Sequence, residues 1–210
     1  MKLVIFGASG KTGSLLVEQA LNAGHEVTGY IRSTGAMKHE HPNLRVVVGN
    51  LNDKSALKEA IEGAEACIST LGGNSLTKRS PEIVAGIDNI VTIMEQEEVP
   101  RFIYMSSIGA GDSKLLMTPI IRFIIVNLML RVPLADHNEN EKRIRASKLS
   151  WIIVRPSGLN NGFITGNLKY GTKPTKMKGS RSISRGNVAA FLLKQLSVKM
   201  YVKKAVWLYE

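Results

Sequence analysis

A strand of five residues runs straight into three glycines spaced three apart and then into a helix; no other stretch constrains this chain as much. Lys2-Leu3-Val4-Ile5-Phe6 is a short apolar run of strand type, Gly7-Ala8-Ser9-Gly10-Lys11-Thr12-Gly13 follows at once, and Ser14-Leu15-Leu16-Val17-Glu18-Gln19-Ala20-Leu21 has helical periodicity. A glycine turn between a buried strand and a helix start is a phosphate-binding device. The first backbone N–H groups of the helix have no helical partner, and the helix dipole favours an anion there. Gly10-Lys11-Thr12 imitates the end of a nucleoside-triphosphate loop, but that motif needs a glycine five positions before Gly10, where Ile5 stands. The spacing Gly-x-x-Gly-x-x-Gly instead suits a dinucleotide pyrophosphate. Gly7 allows the tight turn, Gly10 the approach of the backbone to phosphate, and Gly13 close packing of helix on sheet. Gly7, Ala8, Ser9, Gly10, Lys11, Thr12 and Gly13 are therefore the candidate cradle.

Strand and helix signals alternate through the rest of the chain. Strands are expected at 25–31, 44–48, 64–70, 101–105, 151–155 and 205–209. Helices are expected over about 54–61, from Pro81, over about 134–146 and near 188–196. Alternation of this kind predicts an α/β fold: a single-domain Rossmann-type doubly wound parallel sheet with helices on both faces, spanning 1–210. No repeat or linker divides the chain, and the segments that remain for a substrate pocket lie near 108–137 and 156–186.

Composition removes several function classes. The single cysteine, Cys67, excludes an intramolecular disulfide and a cysteine metal cluster; no metal site is expected, and the thiol, in an apolar run, is read as buried and inert. The first apolar run is five residues long, so no leader peptide is expected, and a cytoplasmic location follows. The net charge of +11 attracts polyanions, but no nucleic-acid module is recognisable and the basic residues are dispersed. The densest group, Lys169, Lys173, Lys176, Lys178, Arg181 and Arg185, is read as a solvated loop face, with attraction of an anionic cofactor or substrate as the alternative.

Residues 115–134 break the pattern. They are apolar except for Thr118, Arg122, Asn127 and Arg131. A membrane span needs about 20 apolar residues with few or no charges, and both arginines lie inside the run, so no span is expected. The expectation is a core-buried or lid helix; the other reading is a self-association or membrane-surface patch.

The end of the second strand selects the cofactor. NAD-specific sites place an acid there for the ribose hydroxyl, whereas a cation accommodates the NADP phosphate. This chain reads Tyr30-Ile31-Arg32-Ser33, so Arg32 and Ser33 are the candidate phosphate contacts and NADPH is expected over NADH. A Tyr-x-x-x-Lys pair, in which the lysine lowers the pKa of a proton-donating tyrosine, occurs nowhere: Tyr104 is followed at that spacing by Ile108, and Tyr170 by Pro174. The helix that would carry it reads Asp136-His137-Asn138-Glu139-Asn140-Glu141-Lys142.

Gly-Ala-Ser-Gly-Lys-Thr-Gly, Tyr-Ile-Arg-Ser, Val-Val-Val-Gly-Asn, Ser-Thr-Leu-Gly-Gly, Asp-His before Glu141-Lys142, and the run from Arg145 to Pro156 occur in one order. Together they resemble the atypical short-chain dehydrogenases related to biliverdin-IXβ reductase/flavin reductase and, more broadly, NmrA-like proteins. The resemblance implies NADPH-dependent hydride transfer to flavins, tetrapyrroles or quinone-like acceptors. It implies Ser107 beside the nicotinamide, Asn50 and Leu51 flanking the adenine, and Leu71, Gly72 and Gly73 along the ribose and pyrophosphate. It places Pro156 and Ser157 in the nicotinamide pocket, with Ser106 also at the cofactor. Asn50 stands where that family often has Asp.

A planar acceptor that takes hydride on a ring atom and a proton from water needs no dedicated acid, which accounts for the missing tyrosine; the remaining task is orientation. Ser107 and His137 are the candidate catalytic residues, His137 because imidazole titrates near neutral pH. Glu141 and Lys142 are expected on a solvated helix face. The rival reading is a non-catalytic NADP-binding regulator of NmrA type that senses cofactor state and binds a protein partner.

Overall fold

The computed structural model describes residues 1–73, 75–173 and 182–210. Its first elements are β1 (Lys2–Phe6), α1 (Lys11–Asn22), β2 (Glu26–Ile31), β3 (Leu44–Val48), α2 (Lys54–Ile61), β4 (Ala66–Ser69), α3 (Pro81–Gln96) and β5 (Arg101–Met105). A 3-10 turn at Gly111–Leu116 leads to the four-residue α4 (Pro119–Arg122) and a π-helical run, Phe123–Met129. Then come α5 (Arg131–Ala146), β6 (Ser150–Pro156), β7 (Gly158–Asn160), β8 (Lys169–Gly171), β9 (Ser182–Ser184), α6 (Arg185–Lys194) and β10 (Lys204–Tyr209).

Period-two burial in β1 explains the layers. Leu3 and Ile5 join Leu16 and Val17 of α1 and Val188 and Phe191 of α6 in one core. Val4 and Phe6 join Leu57 and Ile61 of α2, Ile87 and Ile90 of α3 and Ile144 of α5 in the other. Successive strand side chains point to opposite faces, so a strand apolar at every position must be covered on both. The main sheet runs β3-β2-β1-β4-β5-β6-β10-β8. All its pairings are parallel except β10 with β8, which is an antiparallel edge. The expected doubly wound α/β fold is therefore present. Chain order reverses at β1, which pairs with β2 on one side and β4 on the other, and a crevice opens beyond the C-terminal ends of β1 and β4.

Several boundaries differ from the expectation. α1 begins at Lys11, because its first turn holds Gly13, a residue that propensity reads as a break. The strands β7, β8 and β9 have three residues each, too short for alternation to register. The expectation of a core-buried helix over 115–134 is overturned: no residue from Met117 to Pro133 is buried. No helix among the described residues is long and apolar enough to cross a membrane. Cys67 is fully buried, and burial pushes its thiol pKa up. Of the basic group, Lys169 and Lys173 are exposed and Arg185 is half-buried, donating to Asn161, whereas Lys176, Lys178 and Arg181 lie outside the described residues.

The packing of α1 on the sheet depends on Gly13. A Cβ there would run into the Gly7 carbonyl oxygen, a backbone atom that cannot swing aside, whereas a Cβ on Gly72 would meet nothing within 4 Å. Gly13→Ala is expected to lower unfolding stability by about 1–3 kcal/mol and Gly72→Ala to leave it unchanged, both measured by urea denaturation followed by circular dichroism.

Candidate functional site

The glycine loop is held from below by β4. Gly7 sits at φ 76°, and its carbonyl accepts from Gly10 N–H at 2.9 Å. The Thr70 hydroxyl reaches the Phe6 and Gly7 carbonyls at 3.1 and 3.2 Å. The first helical bond of α1 is Ser14 N–H to Gly10 C=O at 2.8 Å, so the N–H groups of Lys11, Thr12 and Gly13 precede the ladder. Gly10, the N-cap, brings no side-chain bond, and the first turn holds no acid. Ser9, Gly10 and Lys11 are exposed, while Ala8 and Thr12 are buried. Open N–H groups, an adjacent lysine and no competing carboxylate fit a pyrophosphate.

Arg32 and Ser33 are exposed at the end of β2, and Arg32 has no ion pair among the described residues. The loop after them folds back over α1: Met37 lies against Gly29, and His39 Nε2 is 2.8 Å from Ser14 Oγ. His39 was not singled out from the sequence, because only the folded loop brings it to the helix start. Asn50 is exposed, with its side-chain oxygen accepting from Asn52 N–H, while Leu51 is buried against Gly86 of α3. Leu71 is half-buried; Gly72 and Gly73 are exposed beyond β4. These segments follow β2, β3 and β4, whose parallel register with β1 puts their C-terminal ends on the same side of the sheet as the glycine loop.

Ser107 and His137 come from the end of β5 and the first turns of α5. Ser107 is half-buried, and its hydroxyl has a weak local bond to the Ile108 carbonyl at 3.3 Å. His137 Nδ1 is 2.9 Å from the Tyr104 hydroxyl, and Asn140 Nδ2 donates to that same oxygen at 2.9 Å. The tyrosine proton is thereby left for His137 Nδ1, so Nε2 carries the imidazole hydrogen. Reversing the Asn140 amide would leave its whole NH2 group buried and unpaired; in the present orientation only its carbonyl oxygen lacks a partner. Burial lowers the His137 pKa, against the raising effect of Glu141 and Asp136, so the neutral form is favoured. Asp136, also buried, accepts from Arg79 Nε and from Ser80 N–H at 2.9 Å, which ties the start of α3 to α5.

Glu141 corrects an expectation. It is only 3% exposed, as is Arg155, which binds it through Nε at 2.9 Å and Nη2 at 2.6 Å. Ser106 donates its hydroxyl to Glu141 Oε1 at 2.7 Å and its N–H to the Val154 carbonyl, so neither hydrogen is left for a cofactor. Asp112 accepts from Arg155 Nη1 at 2.6 Å. Burial alone would raise the Glu141 carboxyl pKa, but Arg155, Ser106 and Arg145 together hold it below the usual range. Lys142, the next residue, is exposed as expected. Pro156 ends β6 and Ser157 follows it; the Ser157 hydroxyl is buried and has no hydrogen-bond partner.

Tyr104, Asn140, Asp136 and Arg155 were missed by sequence reasoning. Two signals were available. α5 carries Asp136, His137, Asn140, Glu141 and Ile144 at helical spacing, so the face turned to the sheet is largely polar. A charged Arg155 inside an otherwise apolar strand called for a buried partner. A cleft of about 690 Å³ opens beside this pair, with Gly111 and Asp112 from the first expected pocket segment and Thr172 from the second. It shares no residue with the glycine loop.

Residues 7–199 match the model of the NAD(P)H-binding family. An uncharacterized chloroplastic protein of Arabidopsis thaliana is 30% identical over 206 residues, covering 93% of this chain and 71% of that protein. The chain spans only 32% of a 3-beta-hydroxysteroid dehydrogenase from Mycolicibacterium neoaurum, with 32% identity over 117 residues. Among solved structures, an anaerobilin reductase from Escherichia coli O157:H7 superposes with a TM-score of 0.82 at 24% identity, covering 100% of this chain and 97% of that one. A short-chain dehydrogenase/reductase of Veillonella parvula in complex with NADP gives 0.84 at 16% identity, with coverage of 100% and 94%. At these identities the two structures establish the shared fold.

The buried Glu141–Arg155 pair has a pH signature. A carboxylate whose pKa is lower in the folded than in the unfolded state contributes stability above its unfolded pKa, and loses it as pH falls through the folded value. Glu141→Gln is expected to cost about 3–5 kcal/mol at pH 7, because it leaves Arg155 buried with the exposed Asp112 as its remaining charged partner. The gap should narrow below about pH 4 as the native carboxylate protonates, measured by urea unfolding across pH.

Proposed function

Because the chain belongs to the NAD(P)H-binding family, we propose that it is an NADPH-dependent reductase that delivers hydride to a planar acceptor, a flavin, quinone or tetrapyrrole. The observation that carries this reading is the open cradle at α1 beside a β2 end with Arg32 unpaired among the described residues and no acid. The likeness to the anaerobilin reductase, and 26% identity over 176 residues to an oxidoreductase of Aspergillus parasiticus, support reduction as the chemistry.

The bound cofactor supplies the hydride; the chain supplies position. The N–H groups of Lys11, Thr12 and Gly13 would hold the pyrophosphate, and Arg32 and Ser33 the 2′-phosphate, with His39 beside the helix start. Asn50 and Leu51 border the adenine, and Leu71, Gly72 and Gly73 the ribose side. Ser107, with Pro156 and Ser157, would border the nicotinamide. His137 presents Nε2–H, held by Tyr104, as a neutral hydrogen-bond donor to the acceptor, so it orients without changing charge. Proton delivery from water then completes reduction without a tyrosine acid.

Steady-state NADPH oxidation with FMN, riboflavin, a quinone and a linear tetrapyrrole is the direct test. Turnover with at least one acceptor is expected; tight NADP binding with no turnover on any would replace the reductase with the NmrA-type regulator. Removing a charge-assisted phosphate contact costs about 1.5–3 kcal/mol, so Arg32→Ala should weaken NADPH by roughly 10- to 100-fold and leave NADH nearly unchanged. Equal loss for both cofactors, measured by fluorescence titration, would remove Arg32 from the phosphate site.

A further inference from the structure

We propose that the surface formed by residues 114–131 docks on an anionic lipid bilayer, lying in its interface. The apolar run that the sequence suggested for the core projects into solvent. Leu115, Ile120, Phe123, Ile124, Leu128 and Met129 are 44–75% exposed, and they make up six of the fourteen exposed large apolar side chains among the described residues. Solvated monomers seldom concentrate apolar surface in this way unless it meets a partner. The backbone here is irregular: a four-residue α-helix passes into a π-helical run, and neither element buries a residue. At its root the run packs back, where Val126 and Leu134 approach Gly109.

Charge selects the partner. Between Asp112 and Asp136 the chain carries Lys114, Arg122 and Arg131 and no acid. None of the three has an ion pair among the described residues. A second copy of the chain would bring the same three cations and a further net charge of +11 to the contact, and like charges oppose that association. An anionic headgroup layer supplies the complementary sign, while Phe123, Ile124, Leu128 and Met129 enter the acyl boundary and the arginines reach back to phosphate. The run is too short and too charged to cross the bilayer, so the contact is with its surface. This inference does not depend on which acceptor the site reduces, nor on whether the site turns over.

Sedimentation of the whole chain with vesicles tests it. Vesicles of phosphatidylcholine alone are compared with vesicles containing phosphatidylglycerol, at low and high salt. Co-sedimentation is expected with the anionic vesicles and should decline as salt rises. The exposed pair Phe123→Ser with Leu128→Ser should weaken partitioning at least about tenfold. Arg122→Ser with Arg131→Ser should weaken it by roughly 30-fold on anionic vesicles only, and near-UV circular dichroism verifies that each variant is folded. If one pair fails to fold, the other still decides. Absence of binding to anionic vesicles overturns the proposal, as does binding that neither pair alters. A dimer in analytical ultracentrifugation that Phe123→Ser with Leu128→Ser dissolves, without vesicle binding, would assign the surface to self-association instead.

Discussion

The Glu141 carboxylate, buried between Arg155 and the Ser106 hydroxyl, ties together three elements, the end of β5, α5 and β6. Arg155 belongs to β6, Ser106 follows β5, and Glu141 lies one helical turn after His137 on α5. Two charges taken out of water recover their desolvation cost only with good geometry and further hydrogen bonds. Here the two-point guanidinium contact, the serine donor and Asp112 at the open side supply them. The consequence is positional. Fixing α5 against the strand ends sets where His137 stands, and Asp136 fixes the same helix to Arg79 and the start of α3.

The two halves of the crevice are built from different materials. On the β1 side the proposed binding groups are backbone N–H groups, with few side chains in the way of a ligand. Gly7, Gly10 and Gly13 serve there through what they lack. On the β5 side the work falls to side chains whose protonation is set by neighbours. The Tyr104 proton and the Asn140 amide choose the imidazole tautomer, and burial keeps His137 neutral. A neutral donor suits a reaction in which orientation counts for more than proton transfer. The missing Tyr-x-x-x-Lys pair and the Tyr104–His137 contact therefore belong to one chemical account.

The backbone half was legible in the sequence, since the strand, the three glycines and the helix are contiguous and their spacing is their geometry. The place of Arg32 was legible too, because parallel pairing of β1 with β2 puts the two strand ends side by side. The side-chain half was not. Glu141 and Lys142 are adjacent in sequence, yet one is buried and the other exposed, and only the packing of α5 on the sheet separates them. Tyr104 reads as an ordinary core aromatic until His137 is brought to it across 33 residues of chain. Residues 115–134 show the converse error: apolar composition was taken as burial, but burial requires a surface to pack against, and from Met117 to Pro133 the fold buries none of them fully.

The sequence by itself determined a doubly wound sheet and, at its first turn, a glycine loop with open N–H groups ahead of α1. These follow from local rules: strand periodicity, glycine at positive φ, and the unpaired N–H groups of a helix start. Tertiary structure alone decided which polar residues of α5 are buried and which imidazole nitrogen meets the Tyr104 hydroxyl. It also decided that the most apolar segment of the chain stands outside the core. Each of these depends on contacts between residues far apart in the chain, where long-range packing, and not propensity, sets the dielectric and the partner.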